Sequence, residues 1–282
     1  MKNFKCKTLG EVKYYLGMHV ERDLDHRWLK LHQEKFIKEL GEKYGIENER
    51  KVATPLPAEF KLVKAAEDEG VEAEEQQQFQ SLVGSLLYAV VHTRSDISFS
   101  VGQLARVVQN PFEEQVDAAE REAERVEVLM EKGERLGEGK LFLTCFTDAT
   151  WASEKEDSSS VGGYICLVGG GPDSWRSKKQ TVTALSLVES EYMAMFHGLK
   201  DVIWLRGLLE EIGQEQKVAM LLFCDSKGAL GMARNTVLDG LINHIRIKRH
   251  WLHKEVKRGT VNPNYIKTHQ QPADFLTKRL AD

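Results

Sequence analysis

The sequence has 282 residues, 41% apolar and 29% charged, with a formal net charge of −4; that is enough for a buried core in one large domain or two ordinary ones. No stretch approaches the ~20 uncharged apolar residues of a membrane span, and no apolar run follows the lysines of Met1-Lys2-Asn3-Phe4-Lys5, so neither membrane insertion nor secretion is expected. Basic and acidic residues number 21 and 27 in 1–140 but 18 and 16 in 141–282, a slightly basic second half that permits an anionic partner without arguing for one.

In chain order, residues 9–45 read as a strand or hairpin, GEVKYYLGMHVERD then RWLKLHQ, followed by a helix EKFIKELGEKYG that Gly45 stops. Thr54-Pro55-Leu56-Pro57 and the acidic, Gln-rich run 65–78 predict an exposed connector with little to bury. Two helices follow, FQSLVGSLLYAVVH and ISFSVGQLARVVQ, the second capped by Thr93-Arg94-Ser95-Asp96. A highly charged surface helix spans 112–131.

From Gly139 the pattern changes. LFLTCFTD, VGGYICLVGG and SWRSKKQTVTAL predict three strands in an antiparallel meander, with Gly169-Gly170-Gly171 supplying the turn rather than a phosphate cradle. A long helix over 187–213, a strand VAMLLFCD, a short helix SKGALGMARN, a basic helix over 243–258, a strand VNPNYIKT and a terminal helix complete the order β-β-β-α-β-α-α-β-α. A strand-helix-strand crossover enforces parallel pairing, so strands 141–147 and 218–224 can lie side by side. Cys6, Cys145, Cys166 and Cys224 form no CxxC pair, and three of them lie in strand-like apolar runs; they read as reduced core residues.

Asp148 and Asp225 each end one of these apolar strands, where open α/β sheets build ligand sites. Two carboxylates a few Å apart repel, and a bridging cation relieves them; magnesium suits hard oxygen ligands. Either aspartate alone would serve equally as a turn or cap residue. The long helix offers Glu189 and Glu191. Its buried stripe is Val188, Tyr192, Met195, Leu199 and Val202, and Glu191 lies roughly 60° from the stripe centre against about 100° for Glu189, which favours Glu191. A first-turn glutamate favoured by the helix dipole is the alternative for both. Asp274 follows Pro272 at the start of the last helix and could equally be a simple first-turn acid.

Thr147-Asp148-Ala149-Thr150-Trp151, Trp175 to Gln180, Glu189-Ser190-Glu191-Tyr192-Met193-Ala194, Cys224-Asp225-Ser226, His244-Ile245 and Ala273-Asp274-Phe275-Leu276-Thr277-Lys278 together resemble the RNase H domain of copia-type retrotransposon Pol polyproteins. Upstream, Leu9 to Gly17, Thr54-Pro55-Leu56 and Val83-Gly84-Ser85-Leu86-Leu87-Tyr88 resemble the end of the copia-type reverse transcriptase. The resemblance implies an α/β, RNase H-like fold with a five-stranded mixed sheet over 141–282, preceded by a smaller α+β and helical remnant of the thumb and connecting region over 1–140. It implies that Asp148, Glu191, Asp225 and Asp274 bind two Mg2+ ions, or Mn2+, and cut the RNA strand of an RNA-DNA hybrid to leave 5′ phosphates. It also implies a setting in the cytoplasm, in virus-like particles, with the rest of the Pol polyprotein as partner. Ser226 stands where the family has Asn and Thr150 where it has Asp, both beside proposed ligands.

His269, in the loop before the last helix, could shuttle protons or be an ordinary exposed histidine. Candidate phosphate contacts are Arg246, Lys248 and Arg249 on the basic helix, which also carries Trp251, and Lys178 and Lys179 near the hairpin; solvated faces are the alternative. No Asp-Asp pair occurs in the chain, so DNA synthesis is not expected of it. The competing readings are a catalytically inactive nucleic-acid-binding remnant of a transposon and an integrase-like nuclease; the glutamate between the third and fourth strands argues against the latter.

Overall fold

The computed structural model describes residues 7, 10–26, 28–45, 56, 70–128, 134–136, 142–152, 159–234 and 243–279, with the side chains at 124–128, 134–136, 243–247 and 249 outside that description. In the first half, β1 (Tyr14–Tyr15), β2 (Met18–Asp23) and β3 (Trp28–His32) form an antiparallel sheet. Helix α1 (Glu34–Tyr44) stops as expected at Gly45, whose φ of 66° lets its N–H reach the carbonyls of Gly41 and Glu42. A strand the sequence did not announce, β4 (Glu134–Leu136), pairs with β3. Its charged tripeptide carries no alternating pattern, so only the free edge of β3 makes it a strand.

Helix α2 (Ala73–His92) begins inside the Gln-rich run read as connector. Two features recruit Ala73–Gln78: Glu74 and Glu75 lie in the first turn, where the helix dipole favours acids, and Gln76 and Gln80 donate to the carbonyls of Gln109 and Val108. Leu56, also in the supposed connector, is buried. After a 3-10 turn (Ser95–Ile97) come α3 (Ser98–Leu104) and α4 (Glu113–Val128). Phe79, Leu86, Ile97, Val101 and Leu104 of α2, the turn and α3 form a core with Ile37 and Leu40 of α1.

The second half holds β5 (Leu143–Thr150), β6 (Val161–Val168), β7 (Gly171–Lys179), α5 (Leu187–Glu211), β8 (Met220–Cys224), α6 (Lys227–Arg234), α7 (Asn243–Lys257) and β9 (Val261–Tyr265). The sheet order is β7-β6-β5-β8-β9. The first three strands are the expected meander, and β5, β8 and β9 run parallel. Gly169 and Gly170, at φ 61° and 92°, make the β6–β7 turn. One sheet face packs on α5, α6 and α7 through Cys145, Cys166, Tyr192, Met195, Leu199 and Leu222. The other face carries Ile165, Phe146 and Trp175 against Ala273 and Leu276.

The terminal helix is instead two short 3-10 turns, Thr268–Gln270 and Pro272–Leu276. Gln271 stays extended before Pro272, and its side chain accepts from Ala273 N–H while donating to the Thr147 carbonyl at 3.0 Å, so the segment is tied to the sheet rather than to itself. The two halves touch where Trp175 Nε1 donates to the Val90 carbonyl at 2.9 Å. Cys145, Cys166 and Cys224 are free and buried as expected; Cys6 lies outside the described residues. No described helix is long and apolar enough to cross a membrane.

Candidate metal centre

The parallel ladder between β5 and β8 ends at the pair Thr147↔Cys224, so Asp148 and Asp225 are the next residues of two adjacent strands. Asp225 leaves its strand there. Asp148 does not end β5, as the sequence suggested; the strand runs on to Thr150 through pairing with β6, with Asp148 opposite Gly163. The second partner strand extends a ladder that the apolar run alone would close.

Glu189 and Glu191 separate clearly. Ser186 caps α5 by accepting from Glu189 N–H at 3.2 Å, and the Glu189 carboxylate turns back to accept from Leu185 N–H at 2.7 Å, a capping-box arrangement that engages Glu189 at the helix end. Glu191 instead faces the sheet edge, within reach of the Ala149 backbone N–H and of Cys224 Sγ at 3.7 Å. Ligand atoms of Glu191, Cys224 and Asp225 lie within 4.8 Å of one another.

Asp274 comes from the Pro272–Leu276 turn. A Cβ on Gly163 would lie 2.6 Å from Leu276 Cβ and 2.9 Å from Thr277 Cγ2, so glycine at that β6 position is what lets the turn settle on the sheet. The turn also brings residues whose role the sequence did not reveal. Thr277 donates its hydroxyl to Asp148. Lys278 Nζ sits 2.9 Å from Asp274 and 3.5 Å from Asp148. Thr268, from the preceding turn, donates to Asp225 at 2.8 Å. The four-residue spacing from Asp274 to Lys278 was the available signal for the lysine; nothing local marked the threonines.

Asp148 and Glu191 are 1% and 3% exposed, while Asp225 and Asp274 are half-buried. Burial, then the charges of Asp148 and Asp225, push the Glu191 carboxyl up to about 9. Burial also raises Asp148, against the hydrogen bond from Thr277 and the charge of Lys278. Lys278 is drawn down by burial but raised overall by Asp274, Asp148 and Asp225. Burial and the charge of Glu191 keep the Cys224 thiol protonated, which leaves an all-oxygen donor set suited to a hard cation. Acids that suppress one another's ionisation in this way are what a divalent cation relieves, so the residues fit the ion their pattern implied.

The two departures from the family pattern have structural work. Ser226 Oγ accepts from Ala229 N–H at 3.2 Å and so caps α6. Thr150 Oγ1 lies 3.3 Å from the Thr277 carbonyl, tying β5 to the C-terminal turn. His269 is exposed, beside Thr268. Lys178 and Lys179 end β7. Lys248 is partly buried between α7 and α5, 3.6 Å from Met193 Sδ and over the Phe196 ring, where Trp251 also packs. Arg246 and Arg249 have side chains outside the described residues.

No protein-family model matches the chain. It is 34% identical to the retrovirus-related Pol polyprotein from transposon TNT 1-94 of Nicotiana tabacum, over 98% of this chain and 21% of that protein. It is 31% identical to the Pol polyprotein from transposon RE1 of Arabidopsis thaliana, over 99% of this chain and 19% of that protein. The chain thus spans about a fifth of the length of these curated relatives. Among solved structures, the N-terminal RNase H domain of a Mycobacterium tuberculosis protein aligns at 13% identity over 49% of this chain and 91% of its own, with a TM-score of 0.37.

Proposed function

Since this chain belongs to the retrovirus-related Pol polyproteins of transposons and has an RNase H-like α/β fold in its second half, we propose that residues 141–282 are the ribonuclease H domain of a copia-type element. Residues 1–140 are then the remnant of the reverse transcriptase thumb and connecting region. The substrate is an RNA-DNA hybrid, the cut strand is RNA, and the products carry 5′ phosphates. The setting is the virus-like particle in the cytoplasm, beside the rest of the polyprotein.

What supports this reading is the approach of Glu191 and Asp225 at the sheet edge, with Asp148 electrostatically coupled to both and Asp274 joined to Asp148 through Lys278. These four would hold two Mg2+ ions, or Mn2+. Bound there, the metal supplies an activated water and charge neutralisation at the leaving 3′ oxygen. The chain's own residues set the geometry. Ala149 N–H holds Glu191, Thr277 holds Asp148 and Thr268 holds Asp225, so the carboxylates are oriented before substrate arrives. Lys178, Lys179 and Lys248, with Arg246 and Arg249, contact the phosphate backbone.

The test is Mg2+-dependent cleavage of a labelled RNA-DNA hybrid by this chain and by Asp225→Asn. The native chain should cut, and the variant should be slower by about a thousandfold, the several kcal/mol a bound metal contributes. Hybrid binding with no cutting by the native chain would leave the inactive-remnant reading in its place.

A further inference from the structure

Helix α5 turns Leu199, Val202, Leu205 and Leu209 into the core, all of them buried. The opposite face of its C-terminal half is covered by no described element. Lys200, Trp204, Gly207 and Glu211 are all exposed there. At ~100° per residue they fall within about 60° of arc, in one column with the alternating four- and three-residue spacing of a helix-pairing seam. Leu208 and Ile212 flank the column on one side. Trp204 and Ile212 are each 63% exposed and Leu208 is 41% exposed, so an indole and two branched side chains stand together in water, the kind of patch that marks an interaction surface.

The order of the column says what would cover it. Read from either end it is a charge, then indole and glycine in one order or the other, then the opposite charge. An antiparallel copy of the helix, related by a two-fold axis passing between Leu205 and Arg206, sets Lys200 opposite Glu211 of the second copy and Trp204 opposite Gly207 of the second copy. Among the described residues neither Lys200 nor Glu211 has an ion-pair partner within the chain. Gly207 has no reason inside its own chain either. An exposed glycine in a helix interior lowers stability relative to alanine, and a Cβ at this position would meet nothing within 4 Å. A neighbouring helix supplies the reason: with axes ~8–10 Å apart, an indole seats best over a residue that has no side chain. A parallel pair would instead set lysine on lysine, glutamate on glutamate and indole on indole, so charge and shape both select the antiparallel one.

We propose that this face of α5 docks a second copy of the chain, as an antiparallel two-fold pair of α5 helices with Trp204 of each copy lying over Gly207 of the other. Trp204, Leu208, Ile212 and the stems of Lys200 and Glu211 offer on the order of 500 Å² per copy, ~1,000 Å² in total, the lower bound of a specific interface. The dimer is therefore weak, with a micromolar dissociation constant. Glu191 lies about 14 residues from the two-fold axis, so at ~1.5 Å per residue the two acid clusters stand ~40 Å apart along the helices, at opposite ends of the pair. The pairing needs neither metal nor nucleic acid and stands apart from the hybrid reading.

Sedimentation equilibrium of the full chain in EDTA, over a micromolar concentration series, should show monomer in reversible exchange with dimer. Gly207→Leu adds a side chain that meets nothing in its own chain and favours helix; it should hold or raise the unfolding midpoint while weakening the dimer about tenfold or more. Lys200→Glu and Glu211→Lys should each weaken it about tenfold, and mixing the two single variants should restore association, because each then meets the opposite charge across the axis. A native chain that stays monomeric throughout overturns the proposal and leaves the face to another segment of the polyprotein. A dimer that survives Gly207→Leu overturns it as well, since association would then use another face. So does a mixture of the two charge variants that associates no better than either alone, because the antiparallel register requires the rescue.

Discussion

Glu191 and Ala194 lie three residues apart on α5, yet they border opposite electrostatic environments. At Glu191, acids from four elements crowd one sheet edge, and the chain answers with Lys278, Thr277 and Thr268. At Ala194, Arg176 and Lys178 border a cavity with no described acid paired to them. Among the described residues, the acid cluster carries internal partial neutralisation, whereas Arg176 and Lys178 form no ion pair. An excess of one sign that the fold leaves standing marks where a ligand of the other sign belongs.

The largest effect that would sharpen this contrast is on the acid side. Glu191 keeps its proton up to about 9 in the folded chain, against an ordinary value of 4.5. Stability of the metal-free protein should therefore fall as pH rises from about 4.5 toward 9, by up to about 3 kcal/mol at pH 7. Denaturant unfolding in EDTA should show that slope in the native chain and flatten it in Glu191→Gln; equal slopes would mean that the cluster does not suppress this ionisation.

Next in size is Gly163→Ala, whose new methyl would press on Leu276 and Thr277. A loss of about 2 kcal/mol is expected from overpacking, with weaker Mn2+ binding as the turn carrying Asp274 lifts. The His197 ring resonances should stay unmoved, and a shift would show that the two regions are not separable.

The smallest is Lys278→Met. Removing the internal cation should raise Mn2+ affinity in calorimetry without nucleic acid by about fivefold, the ~1 kcal/mol scale of a part-exposed ion pair. An affinity that falls would recast Lys278 as a support for the ligands rather than a competitor for their charge.

Much of this was legible in the chain. The meander of β5 to β7 followed from alternating β-branched and aromatic residues bounded by Gly169 and Gly170. The crossover through α5 required β5 and β8 to be parallel, which by connectivity alone aligned Asp148 with Asp225. Helix periodicity chose Glu191 over Glu189, and the capping geometry of Ser186 supplies the physical reason. The misreadings share a cause. The Gln-rich start of α2, strand β4 and the 3-10 form of the C-terminal segment all depend on distant groups: the carbonyls of Val108 and Gln109, the edge of β3, and Thr147.

What the sequence determined by itself is the order of elements and the residues that bear charge, because periodicity and turn chemistry act over a few residues. Which charges face one another was decided by the tertiary structure. Lys278 reaches Asp148 across 130 positions, and Arg176, Lys178 and His197 share a cavity, only because the sheet, α5 and the C-terminal turn close on one another. Coulombic coupling depends on distance in space and on burial, and neither can be read along the chain.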